Sequence, residues 1–173
     1  MNILAFAASN NSQSINKQLV TYAASTVAQA NVEVIDINDY ELPIFSQDRE
    51  AELGQPALAQ AFYQKLGQAD AIIVSFAEHN GTYTAAYKNL FDWVSRIERN
   101  IFQGKSVVYL ATSPGPGGTK NVLASAVDSA PFFGAELKGS LSVPSFNDNF
   151  DTEKQCLSNQ ALDNELRQLV SLL

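Results

Sequence analysis

The chain has 173 residues, of which 46% are hydrophobic, and its 18 acidic and 11 basic residues give a formal charge of −7. This length suits one domain with a sizeable core, so we expect residues 1–173 to form a single domain. The acidic balance argues against a nucleic-acid partner, because phosphate backbones attract clustered lysine and arginine. One cysteine, Cys156, and one histidine, His79, exclude an intrachain disulfide and a metal site built from several such residues.

No segment of the sequence combines the length and the apolar character of a membrane span. The first residues also lack the basic start of a secretion signal. We therefore expect a soluble, cytoplasmic protein with no membrane partner. In that reducing compartment Cys156 is expected to be a buried helix residue rather than a nucleophile.

Short apolar runs alternate with longer segments of helical period along the chain. The apolar runs predict five strands, at residues 3–8, 32–37, 71–76, 107–112 and 137–143. The periodic segments predict helices at residues 15–27, 57–66, 83–97, 119–130 and 162–173. Residues 144–151 are polar and irregular, which indicates a loop within the domain. This alternation predicts an α/β fold with parallel strands, right-handed crossovers and helices on both faces of the sheet.

Ligands of an open parallel sheet bind beyond the carboxyl ends of the strands, near the point where the strand order reverses. The loops that follow the first, third and fourth predicted strands are therefore the candidates for a functional site. They comprise residues 9–16, 77–84 and 113–119, and each has an unusual composition.

The first loop reads Ser9-Asn-Asn-Ser-Gln-Ser-Ile-Asn16 and leads into a predicted helix. The free N–H groups and positive dipole end of a helix attract anions, and serine and asparagine side chains add neutral donors. A simple N-cap by Ser12 or Ser14 is the alternative, but a cap needs only one such residue. The composition therefore favours a phosphate site over a cap alone.

The loop after the fourth strand reads Ser113-Pro-Gly-Pro-Gly-Gly-Thr119. Its glycines permit positive φ and allow a flat ligand or a phosphate to approach the backbone closely. It is not a dinucleotide fingerprint, because the last glycine of a G-x-G-x-x-G begun at Gly115 would fall on Lys120, and no phosphate-binding P-loop motif occurs in the chain. Taken alone, this loop is equally well interpreted as a tight turn.

The loop after the third strand reads Glu78-His-Asn-Gly-Thr-Tyr83 and contains the only histidine. A single histidine in a loop is more often a hydrogen-bonded surface or core residue than a catalyst. No serine or aspartate partner for His79 is evident in the sequence, so the histidine alone predicts no catalytic role.

Together the three loops resemble those of the NADPH-dependent FMN reductase family, over residues 1–135. The family's first-loop pattern, G-S-x-R-x-x-S-x-N, aligns with Ala8, Ser9, Asn11, Ser14 and Asn16. Its second loop, P-x-Y-N-G-[ST], and the following L-K-N-x-x-D-W are similar to Ala77-Glu-His-Asn-Gly-Thr82 and Tyr87-Lys-Asn-Leu-Phe-Asp-Trp93. Its third loop, S-P-G-x-x-G-G, is one residue longer than Ser113-Pro-Gly-Pro-Gly-Gly118.

The resemblance implies a flavodoxin-like, doubly wound, five-stranded parallel sheet of order 2-1-3-4-5. It also implies bound FMN, with NAD(P)H as co-substrate and no protein acid or base that is indispensable. The residues that it assigns to cofactor binding are Ser9, Asn11, Ser14, Ile15 and Asn16 in the first loop, Ala77, Glu78, His79, Asn80, Gly81 and Thr82 in the second, and Ser113, Pro114, Gly115, Gly117 and Gly118 in the third.

Three residues depart from the family pattern at the positions that would contact FMN. Asn11 replaces the arginine that would pair with the phosphate, His79 replaces the tyrosine beside the flavin, and Ala77 replaces a proline. Asparagine supplies neither the charge nor the bidentate fork of arginine. We therefore expect this chain to bind FMN more weakly than an arginine at position 11 would allow.

The function implied by the resemblance is transfer of hydride from NAD(P)H through FMN to a small acceptor. That acceptor is a quinone, an azo compound, a metal oxyanion or free flavin. Two alternatives stay open. One is an electron carrier of flavodoxin type, although the first loop lacks the [ST]-x-T-G-x-T pattern of flavodoxins. The other is a family member that binds FMN weakly or not at all.

The resemblance also implies a homodimer or homotetramer. The predicted helix at residues 83–97 carries more large apolar side chains than one buried stripe needs, namely Tyr87, Leu90, Phe91, Trp93 and Val94. Apolar surface beyond the core stripe is a candidate for burial against another subunit. An equally good interpretation is that these side chains fill the core of the domain.

Overall fold

The computed structural model describes residues 1–173 and has a five-stranded parallel sheet at its centre. The strands are β1 (Asn2–Ala8), β2 (Asn31–Ile35), β3 (Ala71–Phe76), β4 (Ser106–Thr112) and β5 (Glu136–Val143). Their order in the sheet is β2-β1-β3-β4-β5, and every neighbouring pair is parallel. This confirms the predicted order and places the reversal of strand order between β1 and β3.

Seven helices connect and flank the strands. They are α1 (Ile15–Ser25), α2 (Gln47–Leu53), α3 (Ala57–Gln68), α4 (Ala85–Ser95), α5 (Lys120–Ser129), the one-turn α6 (Phe146–Asn149) and α7 (Gln160–Val170). Short 3-10 turns occupy Ile37–Tyr40 and Ala130–Phe133. Two antiparallel ribbons pair Glu78–His79 with Thr82–Tyr83, and Phe150–Asp151 with Cys156–Leu157. None of the helices has the length and apolar character that crossing a membrane requires.

Side chains of the central strands alternate between two hydrophobic cores, one on each face of the sheet. In β1, Leu4 and Phe6 pack with α3, α4 and α5, whereas Ile3 and Ala5 pack with α1 and α7. Because both faces are covered, the three central strands β1, β3 and β4 are almost continuously apolar rather than alternating. The predicted placement of helices on both faces is therefore confirmed.

Two predicted element boundaries differ from the observed ones because a polar side chain caps a helical turn there. The second strand, predicted to reach residue 37, ends at Ile35 because the Asp36 carboxylate accepts a hydrogen bond from the Asn38 N–H and starts the 3-10 turn. The helix predicted from residue 83 begins at Ala85, since the Thr84 hydroxyl caps it. Tyr83 instead pairs with Glu78 in the first ribbon.

The segment after β5 is more ordered than the predicted loop at residues 144–151. It contains α6 and one strand of the second ribbon. In that ribbon Cys156 pairs with Asp151 and is half-buried, so the expectation of a buried helix residue is wrong. Helix α2 was not predicted, because none of its residues is buried and no apolar period marks it.

The string Lys88-Asn-x-x-Asp-Trp93 anchors the segment that follows the first 3-10 turn. The Trp93 indole N–H donates to the Pro43 carbonyl at 2.7 Å, and the Asn89 side chain donates to the Leu42 carbonyl at 2.9 Å. The Asn89 side-chain oxygen accepts from the Phe45 N–H at 2.8 Å. This string therefore has a structural role, since it fixes residues 42–45 against α4.

The large apolar side chains of α4 are used within the chain itself. Tyr87, Leu90, Trp93 and Val94 are buried in the core on that face of the sheet. Phe91 is half-buried, and its ring packs edge-on against Phe133 with centroids 4.7 Å apart. These side chains thus fill the core, and they provide no separate apolar face for another subunit.

Candidate functional site

The carboxyl ends of β1, β3 and β4 open into one cleft of about 270 Å³. All three predicted loops contribute to its lining, through Ser9, Asn11, Ser14, Ile15, Asn16, Ala77, Glu78, His79, Ser113 and Pro114. Gln13, Thr112 and Thr119 also line the cleft and were not predicted. Their positions in the sequence could have identified them, since each residue lies within or directly beside one of the three loops. No lysine or arginine lines the cleft.

The other predicted residues, Asn80, Gly81, Thr82, Gly115, Gly117 and Gly118, are not part of the lining of this cleft. Asn80 and Gly81 form the exposed tip of the first ribbon, with φ of 53° and 80°, and Thr82 follows them. Positive φ at two successive turn residues, Asn followed by Gly, is typical of a tight hairpin. This turn therefore positions Glu78 and His79, which do line the cleft.

The glycines of the third loop differ in their surroundings. Gly118 has a φ of +62°, and a methyl group added there would clash with the Ser142 hydroxyl, so packing requires this glycine. Gly115 and Gly117 do not have positive φ, and a methyl group on either would meet no atom within 4 Å. Open space beside these two residues leaves room for a ligand to approach the backbone.

The amino end of α1 presents unpaired hydrogen-bond donors. The Ser14 hydroxyl accepts from the Lys17 N–H at 3.3 Å and caps the helix. The backbone N–H groups of Ser12, Ile15 and Asn16 donate no hydrogen bond within the chain. Ser14 can therefore cap the helix while the other N–H groups stay free for an anion. These free N–H groups, at the positive end of the helix, fit a phosphate group.

Asn11 shapes the loop that precedes this helix. Its side-chain oxygen accepts from the Gln13 N–H at 2.9 Å, and its own N–H donates to the Ser9 hydroxyl at 3.3 Å. The side chain is exposed, and its NH₂ group makes no hydrogen bond within the chain. Asn11 can therefore offer a neutral donor to a ligand in the cleft.

Asn16 joins the ends of two strands to α1. Its side-chain oxygen accepts from the Thr112 N–H at 3.0 Å and from the Ser75 hydroxyl at 2.8 Å. Its side-chain nitrogen donates to the Thr112 carbonyl at 3.1 Å, and the residue is 2% exposed. The side chain predicted to bind a cofactor is thus occupied, and the free backbone N–H is the group that Asn16 offers to a ligand.

Glu78 connects the first ribbon to α5. Its carboxylate accepts from the Val122 N–H at 2.9 Å, at the amino end of the helix, where the helix dipole favours negative charge. The Thr84 hydroxyl donates to the Ala8 carbonyl at 3.1 Å and ties the ribbon to the end of β1. His79 is exposed at the mouth of the cleft.

Comparison with known proteins places the chain in a family. Residues 1–148 match NADPH-dependent FMN reductase. The chain belongs to the NADPH-dependent FMN reductase family. An NAD(P)H-dependent FMN reductase of Pseudomonas aeruginosa is 27% identical over 173 residues, which cover 98% of this chain and 92% of that protein. A 2-hydroxy-1,4-benzoquinone reductase of Burkholderia sp is 33% identical over 108 residues, covering 61% of this chain and 57% of that protein.

This chain also aligns with about half the length of an NADPH:quinone oxidoreductase of Arabidopsis thaliana and of a quinone reductase of Escherichia coli. Among solved structures, FerB of Paracoccus denitrificans, a flavoenzyme NAD(P)H:(acceptor) oxidoreductase, superposes with a TM-score of 0.77 at 20% identity. The match covers 99% of this chain and 93% of that one, and it supports the fold. Family and fold together confirm the predictions of a flavodoxin-like oxidoreductase that uses FMN with NAD(P)H.

Proposed function

We propose that this protein reduces small quinones with electrons from NAD(P)H, through FMN held in the cleft. The observation that carries the proposal is one cleft lined by three loops, with unpaired N–H groups at the amino end of α1 and with open space beside Gly115 and Gly117 in the third of these loops. Relatives that carry the name quinone reductase support the choice of acceptor.

The chain's residues divide the binding of FMN between them. The N–H groups of Ser12, Ile15 and Asn16 would hold the phosphate, with the Asn11 side chain as a further neutral donor. Gly115 and Gly117 would leave room for the flat ring system beside the backbone of the third loop. FMN, when bound, supplies the hydride chemistry.

The same cleft offers little for acid–base chemistry by side chains. Glu78 and His79 are its titratable lining residues, and the Glu78 carboxylate is engaged by the amino end of α5. The residues around Glu78 would instead contribute backbone N–H groups that stabilise negative charge on the ring. Protons for the acceptor would then come from solvent at the exposed mouth of the cleft.

Reconstitution with FMN followed by anaerobic NADPH oxidation tests this function. With 1,4-benzoquinone as acceptor we expect rapid turnover by the single purified protein. A carrier of flavodoxin type would show almost no NADPH oxidation without a partner reductase. Protein that stays colourless after soaking in FMN would contradict the flavoenzyme proposal altogether.

The choice of acceptor needs a separate comparison. The value of kcat/KM should be highest for benzoquinone when an azo dye and free FMN are assayed in parallel under the same conditions. A higher value for the dye or for free flavin would overturn the assignment of the acceptor and leave the flavoenzyme proposal standing.

We further propose that residues 1–173 act as one FMN-binding domain, in the cytoplasm, as a homodimer or homotetramer. The family resemblance supports the oligomer, and Ile44 and Phe132, which are 69% and 60% exposed, are the side chains we expect its interface to bury. A free cysteine fits a reducing compartment. A monomer mass in light scattering at micromolar concentration would contradict the oligomer.

A further inference from the structure

A second cavity, of about 220 Å³, lies between α4 and α5 and shares no lining residue with the cleft. Aromatic rings form most of its wall, among them those of Phe76, Tyr83, Tyr87, Phe91 and Tyr109. Neighbouring rings contact one another, some of them tilted and some edge to face, as in the pair Phe76–Tyr109, whose centroids are 5.1 Å apart at 89°. The cavity is thus bounded by rigid side chains.

Two tyrosine hydroxyls in this wall have no partner in the chain. Tyr87 is 4% exposed and Tyr109 is 2% exposed, and neither hydroxyl makes a hydrogen bond within the protein. The buried polar side-chain atoms that lack a partner belong to Gln18 and Gln55, so the hydroxyls of Tyr87 and Tyr109 are open to the space of the cavity. A molecule inside the cavity can therefore hydrogen-bond to them.

The tyrosine hydroxyls are held in the protonated form. Burial raises the pKa of Tyr87, and the neighbouring hydroxyls of Tyr109 and Tyr83 raise it further. Burial also raises the pKa of Tyr109. Each hydroxyl can therefore both donate and accept, so the pair suits a ligand group that does the same.

The dimensions and the rim of the cavity limit the ligand. A cavity of about 150 Å³ lined by apolar side chains accepts benzene. This cavity is somewhat larger, at about 220 Å³, which leaves room for a ring with small substituents. At the rim the Lys88 ammonium and the Asp92 carboxylate pair with each other at 2.7 Å, so neither charge is free to attract a charged ligand.

We propose that the cavity between α4 and α5 is a second ligand site, which binds an uncharged single-ring hydroxybenzene, a phenol or a hydroquinone. The ring would pack among the aromatic side chains, and its hydroxyl would accept from one of Tyr87 and Tyr109 and donate to the other. A carbonyl oxygen could accept from both tyrosines but would leave their own acceptor capacity unused, whereas a hydroxyl uses a donor of one tyrosine and an acceptor of the other. The site does not depend on the reductase proposal, since it shares no residue with the cleft.

Titration of FMN-saturated protein with 4-fluorophenol, followed by ¹⁹F NMR, tests the site. We expect saturable binding with one probe per chain, at the same affinity with and without FMN. Tyr109→Phe removes one hydroxyl at constant shape, and we expect affinity to fall about fivefold, as for the loss of one neutral hydrogen bond. Tyr63→Phe, at a tyrosine outside the cavity, is the matched control and should not change the affinity.

Ala126→Phe would fill the cavity and should abolish binding of the probe. Its thermal unfolding is measured in parallel, because Ala126 belongs to the core, and the isosteric Tyr109→Phe keeps the test valid if the larger variant does not fold. Four results would overturn the proposal: no saturable binding up to the solubility limit, displacement of the probe by FMN, full affinity in Tyr109→Phe, or full affinity in folded Ala126→Phe. Displacement by FMN would show that the probe binds in the cleft. A failed NADPH assay would contradict the reductase proposal but not the proposal of this second site.

Discussion

The ammonium group of Lys17 lies 2.6 Å from the carboxylate of Asp36. Lys17 directly follows the first loop, and it is the basic residue nearest to that loop in sequence. The ion pair balances the positive charge of Lys17, and the lining of the cleft contains no lysine or arginine. A phosphate in the cleft would therefore be bound by neutral donors and by the N–H groups at the amino end of α1.

Asn11→Arg should tighten FMN binding by about five- to tenfold, because a hydrogen bond between two charged groups contributes roughly one kcal/mol more than one from a neutral donor. The substitution removes a single local hydrogen bond, to the Gln13 N–H, at an exposed position. Riboflavin has no phosphate, so it should bind both proteins equally. Titration of both flavins into the apo proteins measures the difference.

The control for this prediction is the riboflavin arm. Equal gains for the two flavins, or a loss for FMN alone, would show that position 11 does not face the phosphate. In that case the alignment of the first loop with the family pattern would be wrong.

Asp36→Asn should lower the free energy of unfolding at pH 7 by up to about 1 kcal/mol, the range of a partly exposed ion pair. Burial raises the pKa of Asp36, but hydrogen bonds from Lys17 and Asn38 outweigh it and hold the pKa below the ordinary 3.8. A pKa lowered by folding gives stability that is present above the ordinary value and lost as the pH falls through the lowered one. Urea denaturation of both proteins at a series of pH values from 7 downward measures this contribution to stability.

Asparagine keeps the cap on the 3-10 turn, so this substitution isolates the charge. The two proteins should become equally stable once the pH is below the lowered pKa of Asp36. Lys17→Met removes the other partner of the ion pair and should lower the free energy of unfolding at pH 7 by a similar amount. If the free energies of unfolding of the wild type and Asp36→Asn still differ by the same amount at acid pH, the effect comes from packing rather than from the charge.

Gly117→Ala and Gly118→Ala should separate ligand binding from folding in the third loop. Gly118 has a φ of +62° and contacts Ser142, so alanine there should cost at least about 1–2 kcal/mol of stability. Gly117 faces open space, so alanine there should leave the unfolding transition unchanged and weaken FMN binding. Thermal unfolding and FMN titration of both variants test this, and unchanged FMN affinity in Gly117→Ala would place the flavin elsewhere.

The sequence was sufficient for the strands and the fold class, because burial on both faces of the sheet requires continuous apolar runs, whereas the strand order was expected from the family resemblance. Strands such as Ala71–Phe76 are entirely buried and were predicted with their correct bounds. The errors fall where polar side chains decide, as at Asp36 and Thr84, each of which ends or begins an element through one hydrogen bond. Helix α2 escaped prediction because it has no buried face to produce an apolar period.

The loops of the site were predictable because the carboxyl ends of parallel strands meet at one edge of the sheet. What each side chain does there was not predictable, since the partners are distant in sequence. Asn16 bonds to Thr112, and Glu78 bonds to Val122, across separations of 96 and 44 residues. No local pattern distinguishes an asparagine that binds a ligand from one that joins two strands.

Asn16→Ala tests that structural assignment. It would leave the N–H and carbonyl of Thr112 and the Ser75 hydroxyl without their partner, in a place that is 2% exposed. Each unsatisfied buried group costs about 1–3 kcal/mol, so we expect the free energy of unfolding to fall by about 3–5 kcal/mol after partial hydration. Ser75→Ala is the matched control. It removes one of the same hydrogen bonds and should cost only about 1 kcal/mol.

Flavin titration of Asn16→Ala distinguishes the two roles considered for this residue. If the side chain positions the loops, FMN and riboflavin should lose affinity together, because the whole edge of the sheet shifts. If it contacted the phosphate directly, FMN alone would lose affinity and stability would change little. A selective loss of FMN binding in a variant of normal stability would therefore overturn the assignment of Asn16 as the residue that joins β3 and β4 to α1.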